Sequence, residues 1–434
     1  MSVTTQSMIS ELLKKNYTDL FTRSIYQDTT LFDLIPKYNG DVRGENVNHA
    51  VELTRSHGGG GRNAGEFLPV DYPESFQQSS VTLNRWYYTL SIDGFAVELF
   101  KKGVGSFVDY LDLRMQNAQR DASNQLNRIC HMDGTGVIAK CDGAQANVGS
   151  AGSPLTLKHV WGYSFGALQF LEEGDSITII DATTKAVKST ARIDTMNWAN
   201  ETVTLKDSVL VTVGDGDLIV FGDSHSNSYA KEANGLRGLI ANGSTTDATG
   251  ATISSVQGIS PTSYRRWKST ITDKTAAPVP YDWTHLTRIV SATLYKGKTA
   301  PQNIVVLCHP AMLEEHQRLV DPDLRYEPTD FRLNKGLEAP VFSVLGRKIP
   351  VRTSLHMGYQ EMVALNTDEL QRLELGPIDW DDRGGQIKAI QGKDAAYAYL
   401  KYYWAMAAKT LNHFARFDGI QVDTDYVEVI QASA

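Results

Sequence analysis

Apolar and polar residues alternate with period two in two stretches near the start of the chain. In residues 47–53, Val47, His49, Val51 and Leu53 share one face; in residues 81–92, Val81, Leu83, Arg85 and Tyr87 alternate with Thr82, Asn84, Trp86, Tyr88, Leu90 and Ile92. Successive side chains of a strand point to opposite faces, so this pattern predicts two half-buried strands. The segment between them, residues 55–79, is polar and begins with the run Gly58, Gly59, Gly60, Gly61. At about 3.3 Å per residue the pair predicts a hairpin arm tens of ångströms long, more than one globular body can cover. Such an arm needs a surface outside its own subunit.

The period then changes to that of a helix. Phe107, Leu111, Met115, Ala118, Ala122, Leu126 and Ile129 recur at spacings of three and four and form one stripe, while Asp112, Gln116, Gln119, Arg120, Ser123 and Asn127 fall mostly elsewhere. The stripe predicts a helix over residues 104–133, about 40 Å long, with Phe107, Leu111, Met115, Leu126 and Ile129 as its core-facing residues. Ser106 and Asp109 resemble a capping box with Asp in place of Glu, and Gly134 is a C-terminal stop.

Further on, residues 173–223 hold short apolar runs (Ile177, Ile179, Ile193, Val203, Leu205, Val209, Val211, Val213, Leu218, Val220) broken by turn residues, including Asp215 and Asp217. This spacing predicts a small separate barrel or sandwich. Residues 242–260, rich in Ser, Thr and Gly, read as an exposed loop or connector. Residues 279–391 have α/β character: a helix over 282–295, a buried strand over 303–308, a second helix opened by Pro310 and ended near Pro322, then strands in 341–351 and 362–366. Residues 395–409, with Tyr397, Tyr399, Tyr402, Tyr403 and Trp404, fit either helix or strand locally, and the helix propensity of their alanines favours helix.

A length of 434 residues calls for more than one compact body, and 41% hydrophobic with 21% charged residues describes a folded chain. No apolar run reaches membrane-span length and residues 1–15 lack a signal-peptide core, which predicts a cytosolic origin and no membrane partner. The net charge of −8 argues against a dedicated nucleic-acid binder, since phosphate affinity needs clustered Lys and Arg. Cys130, Cys141 and Cys308 are too few and scattered for a disulfide framework.

Catalytic, cofactor and metal chemistry finds no motif. The glycine run continues into Arg62 and Asn63 without the GK[ST] of a phosphate loop, and there is no HExxH, CxxC or GxSxG. His309 and His316 read as surface or satisfied core residues, and Asp379, Asp381 and Asp382 as an acidic turn in preference to a cation site. No catalytic residue, cofactor or metal ligand is therefore expected.

The order of these parts resembles that of the major capsid proteins of tailed bacteriophages with the HK97-type fold. The resemblance implies an α+β fold: N-arm 1–44, E-loop 45–95, P-domain 96–160 with its spine helix, an inserted β-domain 161–235, a P-domain connector 236–278, A-domain 279–391 and a C-terminal P-domain segment 392–434. It favours strand for residues 395–409. It also implies a subunit that assembles with itself into pentamers and hexamers, and these close an icosahedral shell around double-stranded DNA without sequence-specific binding. Assembly would take place in the host bacterial cytoplasm, with a separate scaffold protein, a portal and, in some cases, a decoration protein. The candidate self-assembly residues are Arg55, Arg62, Glu66, Phe67 and Asp71 on the arm, and Trp86, Tyr87 and Tyr88 as exposed aromatics flanking its tip. Some members of the family join a hairpin lysine to a neighbour's asparagine; residues 45–100 contain no lysine. Two rival readings are an encapsulin-like compartment, which shares the fold, and a soluble hydrolase using paired carboxylates.

Overall fold

In the computed structural model of the chain, the described residues are 28–40, 42–93, 105–149, 153–206, 211–223, 226–297, 304–320, 341–344, 347–382, 388–389 and 392–422. The expected N-terminal segment is thus described only from Asp28. The capping pair Ser106 and Asp109 and the stripe residues Phe107 and Leu111 have side chains outside the described set.

The long helix spans Gly105–His131. Its stripe is buried along the described part: Ala118 and Ala122 pack with Leu90, Trp380, Ala398 and Leu400, with half-buried Met115 beside them. Leu126 and Ile129 enter the largest core with Trp267, Trp404 and Phe414. Gly134, at φ 83°, then turns the chain away, a conformation that only glycine adopts freely.

The helix lies on a sheet whose axis is the strand Ala395–Ala408. That strand pairs with Asn84–Asp93 along one edge over its first ten residues, and with Leu370–Glu374, Asp379–Trp380 and Lys388–Ala389 along the other. It is a strand, against the propensity of its alanines, because neighbours hydrogen-bond to it and Ala398, Leu400, Tyr402 and Trp404 share one buried face. Such pairing is non-local, and it outweighs a propensity of a few tenths of a kcal/mol per residue.

The same pairing corrects the reading of residues 81–92 as one arm strand. The arm is instead made of Asn46–Glu52 and Phe76–Thr82, antiparallel, with Asn46 opposite Thr82 and Glu52 opposite Phe76. At Leu83, whose N–H donates to Glu45 O at 2.9 Å, the chain leaves the arm and enters the base sheet. The alternation runs unbroken through both strands, so period alone could not show the change of partner.

The barrel is closed, in the order Leu218–Phe221, Val137–Cys141, Leu155–Lys158, Thr202–Leu205, Val187–Asn197, Ser176–Ile180 and back to Leu218–Phe221. Two of its six strands lie upstream of the 173–223 unit expected from the apolar runs. Ile177, Ile179, Ile193, Val203, Leu205 and Ile219 fill the interior. Asp217 is more than a turn residue. Buried at the barrel end, it accepts from the N–H groups of Ala182 and Gly214 and pairs with Lys188 at 2.6 Å.

The third body is a six-stranded mixed sheet ordered Thr270–Asp273, Ala415–Asp418, Glu361–Asn366, Ile304–Cys308, Arg347–Thr353 and Val341–Val344. The helix Trp283–Gly297 packs on it, and Pro310 opens the helix Pro310–Val320 as an N1 proline does. Residues 242–260 have little regular structure but are not simply exposed: Ala248, Val256 and Ile259 are buried, and Trp267 Nε1 donates to Val256 O at 3.1 Å.

Candidate assembly surface

The arm is tied down at its root and bare at its tip. Val51 and Leu53 reach the main core, and the Ser80 N–H donates to Gln257 O at 2.9 Å. Beyond Glu52 the two limbs are held by the side-chain pair Thr54 Oγ1–Ser75 Oγ at 2.8 Å and by the mutual backbone bonds of His57 and Tyr72. At the end is a turn shaped by its own polar residues. Asn63 donates to Glu66 from both its N–H and its side-chain amide at 3.0 Å, holding the Glu66 carboxyl below the usual range. Arg62 Nε donates to Phe67 O at 3.0 Å. Gly65, at φ 89°, allows the reversal.

Among the sequence-derived candidates, Arg55, Arg62, Glu66, Phe67 and Asp71 all lie exposed on this arm. Arg62 and Glu66 shape the turn through local bonds. Trp86, Tyr87 and Tyr88 do not flank the tip; they lie in the base strand Asn84–Asp93. Trp86 and Tyr88 point inward against the core under the long helix, while Tyr87 faces out, its hydroxyl 3.0 Å from that of Tyr403. They were misplaced because the arm strand was extended past Leu83.

Phe67, already a candidate, belongs to a larger apolar run that the sequence reading missed. Phe67 is 96% exposed and Leu68 84%, and Val70, Tyr72 and Phe76 are exposed with them. Isolated surface apolar residues are ordinary, but a run on one projecting element marks a surface that awaits a partner. The signal stood in the sequence as Phe67-Leu68-Pro69-Val70-Asp71-Tyr72, an apolar run inside a loop otherwise read as polar.

Two buried polar networks, also unforeseen, lock the bodies together. Asp28 accepts from Ser354 Oγ at 2.5 Å and from the Leu355 N–H at 2.7 Å, and Ser354 Oγ lies 3.0 Å from His131 Nε2. Asn127, on the long helix, accepts from the N–H groups of Leu31 and Phe32 and so caps the short helix Thr30–Leu34. Burial pushes His131 down to about 3 and His356 to about 4, so both are neutral at ordinary pH. Although serine, histidine and aspartate meet here, the serine sits between the other two and is buried, so no substrate carbonyl reaches it. In the second network Arg237 pairs with Glu361 at 2.9 Å and Asp418 at 3.1 Å, while Arg416 meets Asp418 at 2.9 Å. Two guanidiniums balance two carboxylates, and Tyr163, from the segment that follows the barrel strand Leu155–Lys158, adds its hydroxyl to Asp418 at 3.2 Å.

The remaining candidates fall into place. His309 and His316 are buried, the first against the Tyr359 ring at 4.0 Å between centroids and the second bonded to Tyr281. Asp381 is buried between Lys388 at 2.7 Å and Lys401 at 3.1 Å, so its charge is already met. Cys130, Cys141 and Cys308 are buried free thiols. Among the described residues no helix is long and apolar enough to cross a membrane, and no group of three potential ligands is placed to hold a metal.

No protein-family model matches the chain, and no curated protein matches it by sequence. Solved structures do. The capsid asymmetric unit of cyanophage A-1(L) aligns over 96% of this chain and 99% of its own, with a TM-score of 0.57 and 14% identity. The fold is that of a phage capsid protein of the HK97 type. The capsid of a native GTA particle aligns with this chain over 95% of its length and 96% of its own, with a TM-score of 0.50 and 9% identity. The holo-SrpI encapsulin complex from Synechococcus elongatus PCC 7942 aligns over 97% of each chain with a TM-score of 0.42, too distant to weigh in the choice.

Proposed function

We propose that this chain is a major capsid protein, a shell subunit whose work is done by interfaces. The observation that carries the reading is the arm: a projecting hairpin with its root in the core and an uncovered apolar run at its end, on an HK97-type body. A soluble monomer gains nothing from such an arm, whereas a ring of identical subunits covers each arm with the next subunit and repeats one contact around the axis. Five-fold and six-fold rings of this kind close an icosahedral shell, and many modest contacts per subunit sum to a stable particle. The six-stranded sheet with its helices, which holds most of the expected A-domain 279–391, would surround the ring axis, and the base sheet with its long helix would meet neighbouring rings. The cargo would be double-stranded DNA held without sequence-specific contacts, consistent with a net charge of −8. A scaffold protein, a portal and a decoration protein are the expected partners, and the host cytoplasm the place of assembly.

Electron microscopy of the purified full chain, alone and with the scaffold encoded beside it, tests the reading. Closed shells carrying nuclease-protected DNA in particles recovered from cells support it. Shells filled with an enzyme assign the compartment role instead, and a small fixed oligomer under every condition refutes it.

A further inference from the structure

Beneath the root of the arm the body opens a cleft of about 720 Å³ lined by Leu53, Arg265, Arg266, Tyr295, Lys296 and Asn412 among others. Glu52 is the only carboxylate among the described lining residues, and it is already 3.7 Å from Arg266. Burial, followed by the neighbouring charges of Lys268 and Arg265, holds the Lys296 ammonium below its usual range. The cleft thus carries cations in excess beside the exposed Tyr295 ring. Asn412 adds a second demand. Its amide donates to Lys296 O at 3.3 Å, while its Oδ1 is buried and accepts no hydrogen bond among the described residues. An occupant that satisfies the cleft brings both negative charge and an N–H donor. The phosphodiester backbone of a nucleic acid offers only the first, whereas an acidic peptide offers both, its donors being backbone N–H groups.

We propose that the cleft holds residues 423–434 of its own chain as an acidic strap, with Glu428 against Lys296 and Arg265 and a backbone N–H of the strap donating to Asn412 Oδ1. The inference does not depend on the shell reading. Residues 423–434 lie outside the described residues, and their sequence selects them. They carry Asp423, Asp425 and Glu428 and no Lys, Arg or His. The other stretches of comparable or greater length outside the described residues, 1–27, 94–104 and 321–340, each contain at least two cations. In an extended segment Tyr426, Glu428 and Ile430 share one face, a carboxylate flanked by apolar side chains. That face matches a cleft of cations with Tyr295 and Leu53 on its walls. The chain also has the reach. Val422 is buried with Leu286, Ile289 and Val290 of the helix Trp283–Gly297, and Lys296 stands at the other end of that helix. From Leu286 to Lys296 is about 15 Å at 1.5 Å per residue, and residues 423–434 fully extended cover about 40 Å. That is enough to turn back along the helix and enter the cleft. A strap so placed covers cations that would otherwise grip phosphate, and it sets how weakly the chain holds nucleic acid.

The test treats the purified full-length chain with a zero-length carbodiimide, which joins amines to touching carboxylates, and separates the products by size under denaturing conditions. The band that still runs as monomer should yield a peptide linking Lys296 to Glu428 or Asp425. Links from this segment found only in bands of two or more chains would place it on a second copy, and Lys296 linked instead to Glu66 or Asp71 would give the cleft to an arm; either result overturns the proposal. In parallel, chymotryptic release of residues 427–434 should rise at least tenfold when Arg265→Glu and Lys296→Glu are combined, and also in about 1 M salt, where exposed charges are screened. Release that is already fast and does not change would show that nothing holds the segment. Finally, Asp423→Asn, Asp425→Asn and Glu428→Gln together should bind short duplex DNA at least fivefold more tightly at low salt, and adding Arg265→Glu with Lys296→Glu should cancel the gain. A gain that survives those two substitutions, or none at all, assigns the cations elsewhere and sinks the strap. No readout depends on shell formation, so the strap and the shell reading stand or fall separately.

Discussion

The arm and the barrel are both antiparallel β structures, yet they handle their apolar residues and edges in opposite ways. The barrel returns its last strand to its first, so it has no open edge, and Ile177, Ile193 and Ile219 are buried inside. The arm pairs two strands over seven residues each and carries Phe67, Leu68 and Val70 into solvent. An isolated two-stranded hairpin is at best marginally stable in water. The barrel's stability is therefore internal, whereas the arm's has to be supplied at its root by the body and at its tip by another molecule. Substitutions in the body should act on the subunit; substitutions in the arm should act on the assembly.

The largest expected effect tests the body. Asp418→Ala leaves Arg237 and Arg416 short of a buried carboxylate, a loss of about 3–5 kcal/mol, and Leu126→Asp puts an unpaired charge in the core at comparable cost. Both should abolish soluble subunit, read as the soluble fraction on expression and the melting temperature of whatever remains. A soluble Asp418→Ala chain with normal melting would show that the junction of barrel and sheets is not where stability resides.

Acidification should weaken the same body next. Burial depresses His131, His159 and His309 to about 3 and His356 to about 4, below the unfolded value of 6.5. The unfolded chain then takes up protons that the folded chain refuses. The stabilisation is present in full above pH 6.5 and is lost as the pH falls toward 4, at about 1 kcal/mol per histidine for each pH unit. Urea melts of the subunit at pH 7.5 and 5.5 should show a clear fall in midpoint, and His356→Gln should flatten the dependence; a midpoint that does not change would refute it.

Replacing residues 57–72 by a two-residue turn should change subunit stability by less than about 0.5 kcal/mol, as expected of exposed positions, while eliminating shells in electron micrographs. This replacement leaves the paired strand Phe76–Thr82 whole, including the buried Ser79. Closed shells from that chain would erase the distinction between arm and body.

The smallest effect is a null. With no lysine in residues 45–100, the arm has no amine to join a neighbour's asparagine, and an arginine guanidinium stays protonated and is a poor nucleophile. Assembled particles boiled in detergent and reductant should run as one band near 47.9 kDa. A ladder would mean an amine outside the arm, and Lys101 and Lys102 are the first to substitute.

The sequence by itself determined the elements whose signals are local. The helix stripe from Ala118 to Ile129, the strand at Ile304–Cys308, the proline that opens Pro310–Val320 and the strands within 173–223 were legible because a helix or strand shows its period over its own residues. The exposed run from Phe67 to Tyr72 was equally present, but within a segment read as polar only Phe67 and Asp71 of it stand among the candidates. Tertiary structure alone decided which strand meets which. The alternation through residues 81–92 is the same whether Trp86 lies on the arm or opposite Tyr402, and the alanines of Ala395–Ala408 favour helix until two flanks of strands pair with them. The barrel took Val137–Cys141 and Leu155–Lys158 from outside the expected unit, and Arg237, Glu361 and the Arg416–Asp418 pair came together from three separate segments. A buried charge is tolerable only beside its counter-charge, and the partners that satisfy it here lie up to 181 residues apart.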